Sequence, residues 1–588
     1  MKQTKWLAKA AALAMLISCC GCTSTPSSSG ANAPSAGSSG GSSAPPAESQ
    51  NAAPSQTVQE PVTLKVGYYY DSTFKYEGNE TVENNSWTEL YKENGINLEI
   101  MYNVDTTMAN EKLAQCIMSG DYPDIMKVQA AYFGDWAQQN IFADITELYE
   151  NMASDQTKEY YSSEVGQSAL NAGYVDGRLY ALPKIQDPYN SMSVLWLRKD
   201  WLDNLGLEIP RTIEEFVDVA KAFTENDPDG NGIKDTYGLG LNGSEVFNSV
   251  GGINRFFEMY GVVPGTQKET IPFIDVDGKA VYGGSLEGPM KDGLTLLHSM
   301  YEAGYIPKDF ISAGADQVRQ DGSAGKTGMF FGSMSNAGSV WYNALETQPE
   351  AEYVAAGIPG VTENSWGTAF YSATPNLYYT VSSKCTTPEA FMTIINLGTQ
   401  YLAQPDTLSQ EDYEKYNGLT GTYTGWKCAL VEFEVPMKNL KALDRHQNAL
   451  KTGDTSQLNA ENLRDFNSMQ DYLTNIDKRS SLNETELGKF NQGIFYYSVW
   501  GAERCGYAAL NEMIQAGNLV YSAYDTVQTD AMIEITPTLD TLAKETIVNI
   551  IVGNQSVDSY SDFLKTWNSL GGEKITAEAD AWYQSVKK

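Results

Sequence analysis

The run Asp227-Pro228-Asp229-Gly230-Asn231-Gly232-Ile233-Lys234-Asp235 places oxygen ligands at the spacing used to wrap a calcium ion. Asp227, Asp229, Asn231 and Asp235 stand at loop positions 1, 3, 5 and 9. Gly232 at position 6 allows the tight turn, and the Ile233 carbonyl stands at position 7. Position 12 is Gly238, so the usual bidentate glutamate is missing, and a distant acid or water must complete the shell. The reading is a structural Ca²⁺ that stiffens its surroundings; the alternative is an Asp/Gly-rich turn without metal. A scaffold-binding module would need two such loops in tandem, and one is present.

A second chemistry is suggested by aromatic residues beside amides and acids. Sugars present apolar C–H faces rimmed by hydroxyls, which suits flat aromatic platforms flanked by Asp, Asn, Glu and Arg. The candidates are Tyr69, Tyr70 and Asp71, Tyr189 and Asn190, Trp341 and Tyr342, Trp366, Tyr371, and Trp500 in the run Phe495 to Trp500. For each, half-buried packing is the competing role. Trp196 and Trp201 read as core.

Catalytic signatures are missing. His298 and His446 are the only histidines, and neither has metal or triad spacing. His298 reads as a helix-packing residue. No GxSxG, HExxH or P-loop occurs. With 74 acidic residues, carboxylates close in sequence cannot identify a glycosidase pair. A binding protein is therefore expected, not an enzyme. A lipid-anchored polysaccharide lyase or glycoside hydrolase is the alternative, and a surface adhesin or peptide-binding lipoprotein is third.

The elements that must position these residues follow a distinctive N-terminus. Lys2, Lys5 and Lys9 precede the apolar run Ala10 to Ile17, too short to span a bilayer and fit for a signal peptide over residues 1–18. Leu16-Ile17-Ser18-Cys19 resembles the bacterial lipobox, which implies lipidation of Cys19; Cys22, preceded by Gly21, is the alternative. Residues 19–60 are dominated by Ser, Gly, Ala and Pro and read as a disordered tether. Its root-mean-square span would be about 35 Å. The expected location is the extracellular face of the cell membrane, held by lipid.

The remaining body is too long for one core, so at least two lobes are expected. A net charge of −34 argues against nucleic acid and polyanions as default partners and is compatible with neutral solutes. Cys116, Cys385, Cys428 and Cys505 are too few and scattered for a disulfide scaffold.

Val62 to Val66 alternates as a strand, Trp87 to Tyr91 reads as a helix closed by Asn94-Gly95, and Ile96 to Ile100 alternates again. This strand–helix–strand unit signals a parallel sheet. A helix over Met108 to Met118 and a strand over Pro123 to Val128 follow. Thr212-Ile213-Glu214-Glu215 has capping-box spacing. Thr387-Pro388-Glu389 reads as a cap, a first-turn proline and a first-turn acid. Asp562 to Leu570 reads as a helix stopped by Gly571-Gly572. The fold class is α/β.

Several segments stand in a recognisable order. They are "MSGDYPDIM" (Met118 to Met126), "IFADITEL" (Ile141 to Leu148), "DGRLYALP" (Asp176 to Pro183), "WLRKDWLDNLGLEIPRTIEEF" (Trp196 to Phe216), "GKTGMFFGSMSNAGSVW" (Gly325 to Trp341) and "YYTVSSKCTTPEAFMTIIN" (Tyr378 to Asn396). As an ordered set they resemble the family 1 extracellular solute-binding proteins, notably the large Gram-positive-type lipoproteins and the alginate-oligosaccharide-binding relatives. Residues 400–540 match weakly.

The resemblance implies a two-lobed, periplasmic-binding-protein-like fold of class II type, with a hinge and an interlobe cleft. Lobe 1 would comprise 61–183 plus about 374–405, and lobe 2 184–373 plus about 406–588. It further implies a monomer that captures an oligosaccharide and delivers it to the permease of an ABC importer. Tyr189 and Asn190 would follow the first crossover, Trp366 and Tyr371 would precede the second, and Trp341 aligns with an aromatic that faces sugar. In the family an acid often follows the last Asp of the calcium loop; Thr236 stands there instead.

Overall fold

The computed structural model describes residues 61–70, 74–76, 78–266, 270–362, 366–372, 375–404, 406–418 and 425–586. The signal segment 1–18, Cys19, the tether 19–60 and Asp71 lie outside the described residues.

The first sheet grows from the expected strand–helix–strand unit. Strand β1 (Val62–Tyr70) runs parallel to β2 (Ile96–Asp105) and to β3 (Ile125–Gln129). Asn85 caps the connecting helix Ser86–Glu93 by accepting from Trp87 N and Thr88 N, and Gly95 turns at φ +78°. Alternate residues of the sheet enter different cores. Leu64, Val66 and Ile125 pack with Trp87 and Ile394 on one face. Met126 and Val128 pack with Phe133 and Tyr378 on the other. Both faces are covered, as parallel sheets require.

The second sheet holds β5 (Ser193–Arg198), β6 (Tyr237–Leu239), β7 (Thr327–Ser333) and β8 (Tyr353–Ala356) in the order β8-β5-β7-β6. All of β5 is buried, which is why "SVLWLR" reads as a nearly continuous apolar run. Trp196 and Trp201 are fully buried in this second core, as their setting predicts. Thr212 closes the expected capping box with Glu215 at the start of the helix Ile213–Glu225.

The two sheets make a two-lobed α/β body joined by three passages of chain. The first runs from β4 (Leu182–Pro183), on the edge of the first sheet, to β5. The second runs from β9 (Ala369–Tyr371), packed in the second core, to β10 (Leu377–Val381), which lies antiparallel to β3 and β4. The third spans 432–437, between Val431 in the first core and Leu443 in the second. This third passage moves a boundary. Residues 410–418 and 425–431 pack with lobe 1, past the expected limit near residue 405. The Trp87 indole donates to the Tyr416 carbonyl (2.9 Å), the Tyr68 hydroxyl to the Cys428 carbonyl (3.2 Å), and Leu430 N to the Tyr91 hydroxyl (3.0 Å).

Two local expectations change. The helix Glu389–Leu402 begins with Pro388 at its cap position, and no side chain caps it. Gly571-Gly572 does not stop the final helix. At φ +116° Gly571 sits in a kink after Ser559–Trp567, and the chain continues as Glu573–Val586. Among the described residues, Cys116, Cys385, Cys428 and Cys505 form no disulfide with one another. No helix among the described residues is long and apolar enough to cross a membrane.

Candidate functional site

The three interlobe passages are tied to one another by polar side chains. In the first, Asp187 accepts from Tyr189 N and from Met437 N of the third, each at 3.0 Å. Burial pushes the Asp187 carboxyl up to about 7 against these donors. Asn190 donates to Glu434 (2.5 Å) and accepts from the Tyr507 hydroxyl (2.6 Å) and the Asn439 amide (3.1 Å). Gln186 donates to Asn376 of the second passage. Lys127 on β3 and Lys184 beyond β4 share Glu432, at 3.1 and 3.3 Å. Burial would raise that carboxyl, but the two lysines hold it down at about 2. Lys127 also lies 4.9 Å over the Tyr69 ring.

A cavity of about 480 Å³ opens beside these passages, walled by both lobes. Lobe 1 contributes Gln129 and Ala130, where β3 ends, and Asn376 before β10. Lobe 2 contributes Arg255 and Phe273, Phe370 and Ser372 around β9, and Ser522 and Tyr524 after β11 (Leu519–Tyr521). Strands β9 and β11 pair in parallel with Tyr371 opposite Tyr521. Their rings lie 5.0 Å apart, and Tyr189 approaches Tyr371 at 5.4 Å and 73°. These three tyrosines form a row at the passages and are not in the lining; the aromatic residues of the cavity wall are Phe273, Phe370 and Tyr524, beside amides and hydroxyls. This is the surface chemistry a saccharide needs.

The aromatic candidates separate on this frame. Tyr189, Asn190 and Tyr371 gather at the passages. Tyr69 and Tyr70 end β1 on the lobe-1 side, where Tyr69 meets Lys127 and Tyr70 meets Phe74. Trp366 is half-buried under the Arg211 guanidinium (5.3 Å) and packs on the second core. Tyr342 is also half-buried against that core. Trp341 is 3% exposed within the helix Ala337–Ala344, its indole N–H donating to the Ala351 carbonyl at 2.8 Å. Trp500 is 9% exposed, donates to the Asn439 carbonyl at 2.9 Å and stacks on Tyr507 at 2°. For these two tryptophans the packing alternative describes the geometry. His298 Nδ1–H donates to the Ile551 carbonyl (3.0 Å) between two helices, a packing position.

The family model for "Bacterial extracellular solute-binding protein" matches residues 70–390, more than half of the chain. The chain belongs to this family. Among curated relatives it is 24% identical over 409 residues to the polygalacturonan/rhamnogalacturonan-binding protein YtcQ of Bacillus subtilis, covering 68% of this chain and 78% of that one. It is 22% identical over 513 residues to lipoprotein LipO of the same organism (85% and 88%). Solved structures with the same fold include an extracellular solute-binding protein of Bifidobacterium longum subsp. infantis (TM-score 0.60, 17% identity, 90% and 99% covered). Two others are an EF-hand mutant of the S. pneumoniae substrate-binding protein FusA with fructo-nystose (0.56, 16%, 89% and 99%) and alginate-binding protein AlgQ2 without calcium ion (0.53, 16%, 89% and 98%). The family is one of substrate-binding proteins, not enzymes.

In this solute-binding protein the Asp/Gly loop hangs from the helix Ile213–Glu225. Asp227 (φ +50°), Gly230 (+67°) and Gly232 (+78°) turn it back on itself. Gly232 N donates to Asp227 Oδ2 (3.0 Å), and Ile233 N to Asn231 Oδ1 (2.6 Å). Asp227 Oδ1 is buried without a hydrogen-bond partner. Burial, with the negative charges of Asp227 and Asp235 nearby, raises the Asp229 carboxyl. An orphaned oxygen among like charges is what a bound hard cation would relieve. Thr236 takes no part, since its hydroxyl donates to the Phe223 carbonyl at 2.7 Å. Among the described residues no three acidic, His or Cys side chains group closely enough to hold an ion unaided.

Sequence reasoning missed Gln129, Arg255, Asn376, Glu432 and Ser522. Gln129 was reachable, because it ends a strand of the parallel sheet, as Tyr70 does, and ligands gather at such ends. Arg255 carried a fainter signal, a lone cation inside the apolar run Ile253 to Phe257. Glu432 and Ser522 lie where the chain resembles its family least.

Proposed function

We propose that this protein captures an oligosaccharide in the cavity between its lobes and delivers it to the permease of an ABC importer. A lipid on Cys19 would hold it at the extracellular face of the cell membrane, with residues 19–60 as a tether. The observation that carries the reading is the cavity itself, with polar and aromatic walls drawn from both lobes. A ligand touching both walls stabilises the closed arrangement by its differential contacts, which is how such a hinge is driven. YtcQ and FusA bear names that refer to polysaccharide or oligosaccharide binding, and LipO is named a lipoprotein. In this reading Tyr189, Asn190 and Tyr371, with Tyr69 and Tyr70 across the cleft, contact the sugar, and Trp366 and Tyr342 lie further out. The working form is a monomer.

Asp227, Asp229, Asn231, Asp235 and the Ile233 carbonyl would hold a structural Ca²⁺, with waters completing the shell. It would stiffen the end of the helix Ile213–Glu225 and has no part in recognising sugar.

A thermal-shift screen over neutral and acidic oligosaccharides, with Ca²⁺ or with EGTA, tests both readings. A saccharide at 100 times its Kd should stabilise the protein by about 2.7 kcal/mol. It should leave no new reducing ends or unsaturated products. Ca²⁺ should raise the Tm without sugar, and Asp227→Ala should abolish that rise. Stabilisation by no saccharide, or turnover of one, sinks the binding reading; an EGTA-insensitive Tm sinks the calcium site.

A further inference from the structure

Away from the three passages, a side chain of lobe 2 reaches a core of lobe 1. Val527, half-buried, packs against the core that holds Phe133, Trp136 and Ala137. It lies over Gly134 of the helix Ala130–Gln138: a methyl placed at Gly134 would stand 3.7 Å from Val527 Cγ1. Ala130, Gly134 and Ala137 follow one another at spacings of four and three, so they share one face of that helix. Small residues on that face leave a shallow seat. Glycine inside a helix weakens it, and a packing role is the usual reason to find one there.

The segment that carries Val527 is braced as part of lobe 2. Ser522 N donates to the Tyr371 carbonyl (2.7 Å) and Ala523 N to the Phe273 carbonyl (2.8 Å). The Tyr524 ring stands 5.9 Å from Phe273 and 5.3 Å from Trp582. Its hydroxyl donates to the Val527 carbonyl at 2.7 Å, which fixes the bend that presents Val527. The Ser372 hydroxyl donates to Asp525 (2.9 Å), and Thr529 accepts from Met532 N (3.2 Å) where the next helix begins. A segment held at both ends and across its bend moves with its lobe, so the Val527 contact forms or breaks as the lobes move.

The contact stands at the cavity. Tyr524, Thr526 and Gln528 line it from lobe 2, and Ala130 and Ala131, at the start of the seat helix, line it from lobe 1. Ser372, Pro375 and Asn376, around the second passage, line it too. The lobes are thus joined by chain at one part of the cavity wall and by van der Waals contact at another.

We infer that residues 522–528 form a clasp of lobe 2 that holds lobe 1 through Val527 seated on Gly134, biasing the lobes toward closure before any ligand binds. The contact is made of protein atoms alone, so it acts whatever the cavity takes up. By favouring the arrangement in which both walls face the ligand, it tightens binding; because it must break for a ligand to enter, it slows entry.

The test is made without sugar, on the unlipidated mature chain. Spin labels are placed at Gln138 of lobe 1 and Glu534 of lobe 2, both exposed. Cys19, Cys20, Cys22 and Cys385 are replaced by serine; Cys116, Cys428 and Cys505 are buried. Val527→Asp puts on the clasp a carboxylate that water hydrates when the lobes part and the apolar seat does not. It should lower the ratio of short to long interlabel distances by about tenfold or more. Gly134→Leu fills the seat and should act in the same direction. Gly134→Ala, whose methyl meets Val527 at an ordinary contact distance, should leave the ratio within about twofold. In a second measurement, Gly134→Cys with Val527→Cys should cross-link through a short bifunctional thiol reagent. If Gly134→Leu does not fold, Val527→Asp and the cysteine pair decide. A parent protein already at the long distance, a ratio unmoved by Val527→Asp, or a cysteine pair that does not cross-link overturns the clasp. Each of these outcomes leaves saccharide capture standing.

Discussion

Trp341 and Trp500 on one side, and Tyr189 and Tyr371 on the other, are aromatic candidates of the same kind for sugar binding in the sequence. The fold uses them differently. Each tryptophan is more than nine-tenths buried and spends its N–H on a backbone carbonyl of its own lobe. Around Trp341 the rings of Tyr472 and Tyr497 approach at 6.3 Å, closing a core between helices. Tyr189 and Tyr371 instead sit at passages between the lobes, Tyr371 as buried as Trp500 at 9% exposed, and the structure adds Tyr521, 59% exposed, beside Tyr371. The difference lies in what the surrounding elements do. A helix facing a sheet buries its aromatic, whereas the paired strands ending at Tyr371 and Tyr521 set their rings side by side at a passage.

Truncating each group separates the roles. Trp341→Ala should cost about 3–5 kcal/mol of stability, read by urea unfolding, with ligand affinity per folded molecule kept within about twofold. A near-neutral stability coupled to lost binding would break the comparison at once. Glu432→Gln should cost about 2–3 kcal/mol, since it leaves Lys127 and Lys184 sharing no counter-charge. The wild-type contribution of Glu432 is complete above its ordinary pKa and is lost as pH falls toward 2; the variant should lack that acid-labile share.

Tyr521→Ala should change stability by less than about 1 kcal/mol while weakening saccharide binding up to tenfold, measured calorimetrically. The smallest effect sharpens the comparison by pH. Asp187 at the passages and Asp465 in the helical core are both pushed by burial up to about 7. The folded protein then holds protons that the unfolded chain has released, so their contribution favours folding at low pH and is lost as pH rises from about 4 to 7. Asn at either position should remove about 1 kcal/mol of the decline between pH 5 and 6. Only Asp187→Asn should also flatten the pH dependence of ligand affinity.

The fold was legible wherever local signals and burial agreed. The capping box at Thr212, the unit running from Val62 to Ile100 and the buried run of β5 all declare themselves by pattern. The Gly571-Gly572 stop failed because packing in lobe 2 carries the chain through a kink into another helix, overriding the usual C-terminal use of glycine. The passage of Tyr416 and Leu430 to lobe 1, past the expected boundary near 405, rests on long-range hydrogen bonds that leave no periodic trace. Tyr189, Asn190 and Tyr371, which the structure gathers at the passages, are candidates from type and order alone. Arg255 and Glu432 could not, because their meaning depends on partners brought together only by the passages.

A crystal structure of the mature protein with the most stabilising oligosaccharide of the thermal-shift screen tests the central claim most directly. The sugar should lie between Gln129 and Asn376 of lobe 1 and Arg255, Tyr371 and Ser522 of lobe 2, touching both walls. A sugar held by one lobe alone, or bound away from this cavity, would contradict it.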